Sequence, residues 1–264
     1  MQSNQLVSNN DLKYYSSLKQ KKYREKEGKF LIEGFHLIEE CLSSQYKMET
    51  IFLNDDTDEK EHKNILVKAS KKNISIEKLP AKLFGKLSET EHSQGIIGVV
   101  NKRETASGNN SLGNNVIALD RINDPGNLGT IIRTAYWFGI DSILISTGSA
   151  DIYNSKVLRS SQGAIFHTNI INDVNLKERL ELLCGKGYKV YLLTPSGNTE
   201  LGNAKISGKC VFVFGNESDG ISMEIHNRKY DSIKINGFSN CESLNVAISS
   251  GILMYHLKNG LKIV

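Results

Sequence analysis

Apolar positions in the first hundred residues fall into short bursts of two kinds. Phe30-Leu31-Ile32-Glu33-Gly34 reads as a brief strand and turn, and Met48 to Leu53, Ile74 to Ile76 and Gly95 to Val100 read as further strands. Between them Leu37, Ile38, Cys41 and Leu42 recur at the spacing of one helix face, and a basic helix precedes the first strand. Strands and helices in alternation predict a small α/β layer over about residues 11–100, behind a polar, disordered tail at 1–10.

The stretch 101–115 breaks this pattern. It holds Lys102, Arg103, Thr105, Ser107, Gly108, Asn109, Asn110, Ser111, Gly113 and Asn114 without apolar periodicity, and predicts a flexible linker between domains. Beyond it the alternation strengthens. Val116 to Leu119, Ser142 to Ile145, Lys189 to Leu193, Val211 to Phe214 and Ser232 to Ile235 are short apolar-rich runs. Leu128, Ile131, Ile132, Ala135 and Phe138 repeat at helical spacing up to Gly139. A last helix is predicted from about Ser243 to Leu257, with Leu244, Ala247, Ile248, Gly251, Ile252 and Tyr255 on one face. Apolar strands separated by helices indicate a mainly parallel sheet covered on both sides, at 116–264.

Composition agrees with two modest domains: at roughly 150 residues per domain, 264 residues suggest two. A content of 39% hydrophobic and 23% charged residues supplies real cores and excludes a disordered chain. No apolar run approaches the ~18 residues of a membrane helix. Met1-Gln2-Ser3-Asn4-Gln5-Leu6 has neither the basic nor the apolar region of a secretory signal, so a cytoplasmic protein without a membrane partner is expected. Cys41, Cys184, Cys210 and Cys241 are scattered, with no CxxC pair and no histidine at ligand spacing. They are expected to be reduced packing residues, and no metal is expected.

The formal charge of +4 says little alone, but its distribution says more. Between Lys19 and Lys29, six basic residues (Lys19, Lys21, Lys22, Arg24, Lys26, Lys29) face only Glu25 and Glu27, an excess as large as that of the whole chain. A solvated helix face is the plain explanation, and a phosphate-binding surface the functional one.

Familiar nucleotide-binding devices are absent. No GxGxxG follows a strand, since Gly185-Lys186-Gly187 lacks the third glycine, and there is no P-loop, GxSxG elbow or HExxH helix. Three polar clusters nevertheless fall at predicted strand ends, where ligands of open α/β sheets sit. The first is Asp120-Arg121-Ile122-Asn123-Asp124-Pro125-Gly126-Asn127-Leu128-Gly129-Thr130-Ile131-Ile132-Arg133. Six residues of helix turn about 240° net, so Asn127 and Arg133 converge only if Asn127 precedes the helix proper. The alternative is an Asn127 cap and a solvated Arg133. The second is Phe214-Gly215-Asn216-Glu217-Ser218-Asp219-Gly220-Ile221-Ser222, either a glycine-lined ligand loop with two carboxylates or a strand-to-helix connection capped by Ser222. The third, Asn240-Cys241-Glu242-Ser243-Leu244-Asn245, opens the last helix, with Ser243 the candidate cap and Asn245 in the first turn.

Together the three clusters resemble the signature motifs of the SpoU (TrmH-type) RNA 2′-O-ribose methyltransferases, members of the SPOUT superfamily. Asn123 to Ala135 is similar to the first motif, and Phe214 to Glu217 with Gly220-Ile221-Ser222 to the second. Ile235 with Glu242-Ser243-Leu244-Asn245-Val246-Ala247 is similar to the third. Order and spacing both match. Leu18, Lys21, Lys22, Arg24, Gly28, Phe30, Glu33 and Gly34, with Gln94-Gly95-Ile96, resemble the family's N-terminal substrate-binding domain. Arg159-Ser160-Ser161-Gln162-Gly163-Ala164 resembles a recurrent family stretch. Two positions depart from the pattern: Asn236 stands where proline is usual and Ser239 where glycine is usual, both in the loop expected to cradle the cofactor.

The resemblance implies a small N-terminal α/β RNA-binding domain joined to a C-terminal α/β-knot methyltransferase domain, trefoil-knotted around a mainly parallel sheet. It implies a homodimer with the site at the subunit interface. The reaction would move a methyl group from S-adenosylmethionine to a ribose 2′-hydroxyl in ribosomal RNA. A transfer-RNA 2′-O-methyltransferase and a non-catalytic RNA-binding or ribosome-assembly protein are the alternatives. Arg133, Asn127, Glu217, Ser243 and Asn245 would be the catalytic set. The cofactor would lie against Thr194, Pro195, Gly197, Gly215, Asn216, Glu217, Gly220, Ile235, Leu244, Asn245 and Ala247. Lys21, Lys22, Arg24, Arg121 and Arg159 would hold RNA. A guanidinium is protonated at neutral pH, so Arg133 is expected to bind phosphate and stabilise alkoxide charge rather than act as a base.

Overall fold

The computed structural model describes residues 8–60, 62–103, 112–238 and 240–259, so most of the expected tail, the linker residues 104–111 and Ser239 lie outside the described residues. The chain divides into two compact units, Met1–Glu104 with Tyr153–Phe166, and Thr105–Ile152 with His167–Val264.

In the first unit, Ser8 caps helix α1 (Asn9–Ser17): its hydroxyl accepts the Asp11 amide and the Asp11 carboxylate accepts the Ser8 amide in return. This reciprocal cap starts a helix inside the segment expected to be tail. The basic stretch forms α2 (Lys21–Glu27), ended by Gly28 in the left-handed conformation that suits a helix stop. There follow β1 (Lys29–Glu33), α3 (Phe35–Leu42), β2 (Met48–Asn54), α4 (Lys63–Lys71), β3 (Ser75–Leu79), the single turn α5 (Ala81–Phe84) and β4 (Ile96–Asn101). The strands lie in the order β1-β4-β2-β3, with β4 antiparallel to both neighbours and β3 parallel to β2. Phe30, Ile32, Phe52, Ile97 and Val99 are buried in this layer.

The second unit carries β5 (Asn115–Leu119), α6 (Pro125–Trp137) and β6 (Ser142–Ser146). The chain then leaves for the first unit, where it forms α7 (Ser155–Ser161). It returns as β7 (Ile170–Val174), α8 (Leu176–Gly185), β8 (Lys189–Leu193), β9 (Thr199–Glu200), β10 (Cys210–Phe214), α9 (Met223–His226), β11 (Asp231–Lys234) and α10 (Val246–Asn259). The seven strands run in the order β7-β6-β5-β10-β8-β11-β9, every pairing parallel. Val116, Ile117, Val211 and Phe212 are buried on both faces, as the unbroken apolar runs require of inner parallel strands. β7 and β9 were not legible in the sequence, the first because Asn172 and Asp173 interrupt its apolar run, the second because it has two residues.

The position of β11 sets the local topology. It enters the sheet between β8 and β9, two strands that are consecutive in the chain and joined only by residues 194–198. That connection rests directly on β11: the Thr194 amide donates to the Ile233 carbonyl at 3.1 Å. A Cβ on Gly197 would stand 2.4 Å from the Ile233 carbonyl carbon, so only glycine permits this contact of backbone on backbone.

The excursion 153–166 corrects the expectation of one uninterrupted domain at 116–264. Its anchor is aromatic: Tyr153 lies 4.4 Å from Phe30 between ring centres and Phe166 lies 5.2 Å from Tyr46, with Val157 and Leu158 buried beside them. Burial of this apolar surface holds the segment in the first unit.

Candidate active site

The site is built at the carboxyl ends of β5, β8, β10 and β11, neighbours in the parallel sheet. Asp124 caps α6, its carboxylate accepting the Asn127 amide at 2.8 Å, and Pro125 takes the first helical position. Asn127 is therefore inside the helix, not its cap. With its backbone amide satisfied by Asp124, its carboxamide faces across the sheet ends. Asn127 Nδ2 donates to Glu217 Oε1 at 2.7 Å, and Asn127 Oδ1 accepts from Asn245 Nδ2 at 3.0 Å. Asn245, not Ser243, caps α10, since its Oδ1 accepts the Ala247 amide at 2.9 Å and the Ile248 amide at 3.3 Å. One carboxamide thus ends a helix and joins the site. The three polar clusters converge as a chain of hydrogen bonds, Asn245 to Asn127 to Glu217.

Two members of the expected catalytic set stay outside that chain. Arg133 lies in α6 six residues past Asn127, exposed and without a hydrogen bond or ion pair among the described residues. The condition for their convergence, Asn127 ahead of the helix, is not met, so the helical rotation separates them. Ser243 is exposed, and its carbonyl accepts a weak bond from the Cys241 thiol, but its hydroxyl joins neither Asn127 nor Glu217.

The loop after β10 is tightly folded. Asn216 and Gly220 exchange backbone hydrogen bonds of 3.0 Å each, and Asn216 Oδ1 accepts the Ser218 amide at 2.8 Å and the Asp219 amide at 3.2 Å. Asn216 Nδ2 donates to the Arg121 carbonyl at 2.8 Å. Its carboxamide is consumed within the protein, which leaves main-chain groups as what Asn216 could offer a ligand. A Cβ on Gly215 would lie 2.2 Å from the Gly220 carbonyl carbon, so this turn also demands glycine. Gly220 itself takes φ +67°.

Two of the five expected RNA contacts, Arg24 and Arg121, are engaged within the chain. Arg24 is buried, and its guanidinium donates to the Leu18 carbonyl at 3.1 Å and the Lys19 carbonyl at 2.6 Å, binding α2 to the turn before it. Arg121 is half-buried between Asp120 at 3.4 Å and Asp219 at 3.9 Å, with a long bond of 3.4 Å to the Gly220 carbonyl. Arg159 lies in α7 and lines a small cavity of the first unit with Glu33 and Glu89. Lys21 and Lys22 remain exposed, Lys21 in a 3.5 Å pair with Glu25 and Lys22 beside the Tyr23 ring. Sequence reasoning missed Asp120 and Asp124. The second was readable, because aspartate directly before a helix-opening proline is a cap signal.

Thr194, Pro195 and Gly197 occupy the connection after β8, while Gly215, Glu217 and Gly220 follow β10. Ile235 leads from β11 into an exposed stretch that carries Asn236 and Leu244. Ala247 is buried in the first turn of α10. Loops from three adjacent strands, with backbone brought close by Gly197 and Gly215, suit a nucleoside-type ligand held largely through main-chain groups. Among the described residues no group of three or more His, Cys, Asp and Glu side chains could hold a metal ion, and no helix is long and apolar enough to cross a membrane.

Residues 114–255 match the model of the SpoU rRNA Methylase family, and residues 9–98 match the MRM3-like substrate binding domain. Over 252 residues the chain is 32% identical to a 23S rRNA (guanosine(2553)-2′-O)-methyltransferase of Bacillus subtilis (strain 168), covering 96% of this chain and 97% of the relative. A TrmH-family protein from Porphyromonas gingivalis superposes with a TM-score of 0.85 at 30% identity, over 97% of this chain and 99% of that one. An AdoMet-bound rRNA methyltransferase from Sinorhizobium meliloti shares the fold, with a TM-score of 0.84 at 23% identity over 98% of each chain.

Proposed function

The chain belongs to the SpoU rRNA methylase family, and from that membership we propose that it is an S-adenosylmethionine-dependent RNA 2′-O-ribose methyltransferase acting on ribosomal RNA. The hydrogen-bond chain Asn245–Asn127–Glu217 carries the reading, because it joins all three motif clusters at the ligand end of a parallel sheet. The relative that modifies 23S rRNA favours ribosomal RNA as substrate, and a cytoplasmic location goes with that substrate.

When bound, S-adenosylmethionine supplies a methyl group already activated by its sulfonium. The protein's task is then position and charge. Loops at Thr194–Gly197, Gly215–Gly220 and Ile235–Leu244 hold the nucleoside, with Ala247 packing beneath them. Asn127, Glu217 and Asn245 orient the ribose, and Ser243 reaches it once RNA is in place. With the cofactor held there, Asn127, Glu217 and Asn245 would aim the ribose 2′-oxygen at the methyl group that its sulfonium would give up. Arg133 binds the neighbouring phosphate and stabilises charge on the oxygen. Lys21 and Lys22 hold RNA through phosphate contacts that carry no sequence information.

A homodimer completes the site. Trp137 is 82% exposed at the end of α6, and Ile248, Ile252 and Tyr255 are exposed on α10, which packs against α6. Such an apolar surface beside an arginine that has no partner among the described residues suits a second copy, which would bring Arg133 to the partner's hydrogen-bond chain. The strand order around β11 supports a knotted crossing of the chain there.

The test is methyl transfer from labelled S-adenosylmethionine to unmodified total RNA. Label in alkali-resistant dinucleotides of ribosomal RNA is expected, and its loss in Arg133→Ala. Label in transfer RNA alone overturns the substrate, and wild type that binds no cofactor overturns the activity.

A further inference from the structure

Two side chains cross between the turn after β5 and the loop after β10, one in each direction. From the loop, Asn216 Nδ2 donates to the Arg121 carbonyl at 2.8 Å. From the turn, the Asp120 carboxylate accepts the Ser222 amide at 2.7 Å. The two bonds bracket Glu217 in sequence. The geometry points to Asp120 and Asn216 as positioning residues, a reciprocal lock that sets the Glu217 carboxylate against Asn127.

Each half of the lock is itself held. Arg121 takes φ +55°, a conformation uncommon for a residue with a side chain, and its amide donates to Ser146 Oγ at 2.8 Å. That strained turn aims the Arg121 carbonyl at Asn216. Asp120 is only 3% exposed, and the Arg121 guanidinium lies 3.4 Å from its second oxygen. A buried carboxylate without such partners would be costly, so Asp120 requires the Ser222 amide as much as it orders it. On the other side, the backbone exchange between Asn216 and Gly220 and the two amides on Asn216 Oδ1 leave the loop little freedom. Its polar groups turn inward, while the Glu217 carboxylate turns outward to Asn127. A site that orients a hydroxyl must hold its groups to about 0.5 Å, and a lock of this kind supplies that precision.

The kinetic arm of the test rests on the methyl-transfer reading; the exchange arm does not. Asn216→Asp keeps the size of the side chain but sets an oxygen against the Arg121 carbonyl in place of a donor. We expect kcat to fall at least about tenfold while KM for RNA stays within about twofold. In an Asn127→Ala background the same substitution should cost nothing further, because the interaction it acts through is already gone. Without substrate, amide exchange at Gly220 and Ser222 should quicken about tenfold in Asn216→Asp, and at Ser222 in Asp120→Ala, which removes the acceptor. An additive loss in the Asn127→Ala background overturns the lock and makes Asn216 a direct ligand contact. Unchanged exchange overturns it whatever the kinetics. If wild type transfers no methyl group, the functional reading fails and exchange alone decides the lock.

Discussion

Asn245 and Asn127 stand 118 residues apart in the chain and are joined by a single hydrogen bond of 3.0 Å, from Asn245 Nδ2 to Asn127 Oδ1. Both carboxamides work at two ends. Asn245 caps α10 through its oxygen and donates through its nitrogen, and Asn127 accepts from Asn245 while donating to Glu217. Aspartate could do half of either task, because it accepts but cannot donate.

Asn245→Asp therefore separates fold from function. Aspartate is as good a helix cap as asparagine, so the thermal midpoint should stay within a degree or two of wild type. The donor to Asn127 is lost, and kcat should fall about 10- to 100-fold. Asn245→Ala should lose activity as well and cost about 1 kcal/mol of stability with the cap. Equal activity of Asn245→Asp and wild type would remove the bond from the mechanism.

Arg133 is exposed and unpartnered among the described residues, so Arg133→Ala should leave the denaturation midpoint unchanged while abolishing methyl transfer. If the residue serves the partner's site, mixing inactive Arg133→Ala with inactive Asn245→Ala should restore activity. Half of the dimers would be mixed, each with one intact site of two, for about a quarter of wild-type activity. Trp137→Glu should yield monomers on a sizing column and prevent that rescue.

The basic helix α2 should divide into two classes of residue. Removing Lys21 and Lys22 should weaken RNA binding and flatten its dependence on salt, with stability unchanged. Arg24→Ala should instead cost about 1.5–3 kcal/mol in denaturant titration, because it strips buried hydrogen bonds from the Leu18 and Lys19 carbonyls. A salt slope changed by Arg24→Ala but not by the lysines would reverse the assignment.

Glu33 links the stability of the first unit to pH. Burial pushes its carboxyl up, but bonds from Ser93, Thr90, Ser88 and the Glu89 amide outweigh burial and hold it below the ordinary glutamate value. A lowered carboxyl stabilises the fold above its unfolded pKa, and that stability is lost as pH falls through the folded value. Glu33→Gln should be less stable than wild type at pH 7 by about 1–2 kcal/mol, and the gap should close in acid. A gap that does not narrow at all as pH falls below the ordinary glutamate value would show that shape rather than charge matters there.

Much of the architecture was legible because it is written in local pattern. Strands such as Val211 to Phe214 are unbroken apolar runs, and α6 repeats Leu128, Ile131, Ile132 and Ala135 at helical spacing, so burial alone specifies them. The clusters at the strand ends were likewise visible as polar residues and glycines where apolar pattern stops. β9 is short and polar, and it pairs only because β11 arrives beside it much later in the chain. Tyr153–Phe166 joins the first unit through contacts with Phe30 and Tyr46, more than a hundred residues earlier.

The sequence by itself determined which residue types and turns this chain has to work with: its strands, its helices, and the asparagines, glycines and acids at their ends. Tertiary structure decided what those residues do. Whether an arginine is exposed or a buried strut, as Arg133 and Arg24 divide here, depends on which carbonyls the fold brings within reach. Whether an asparagine caps a helix or bridges two loops depends on partners about a hundred residues away, as with Asn216 and Arg121. A hydrogen bond is short-ranged and directional, so its partner is set by the folded path of the chain and not by the residues beside it.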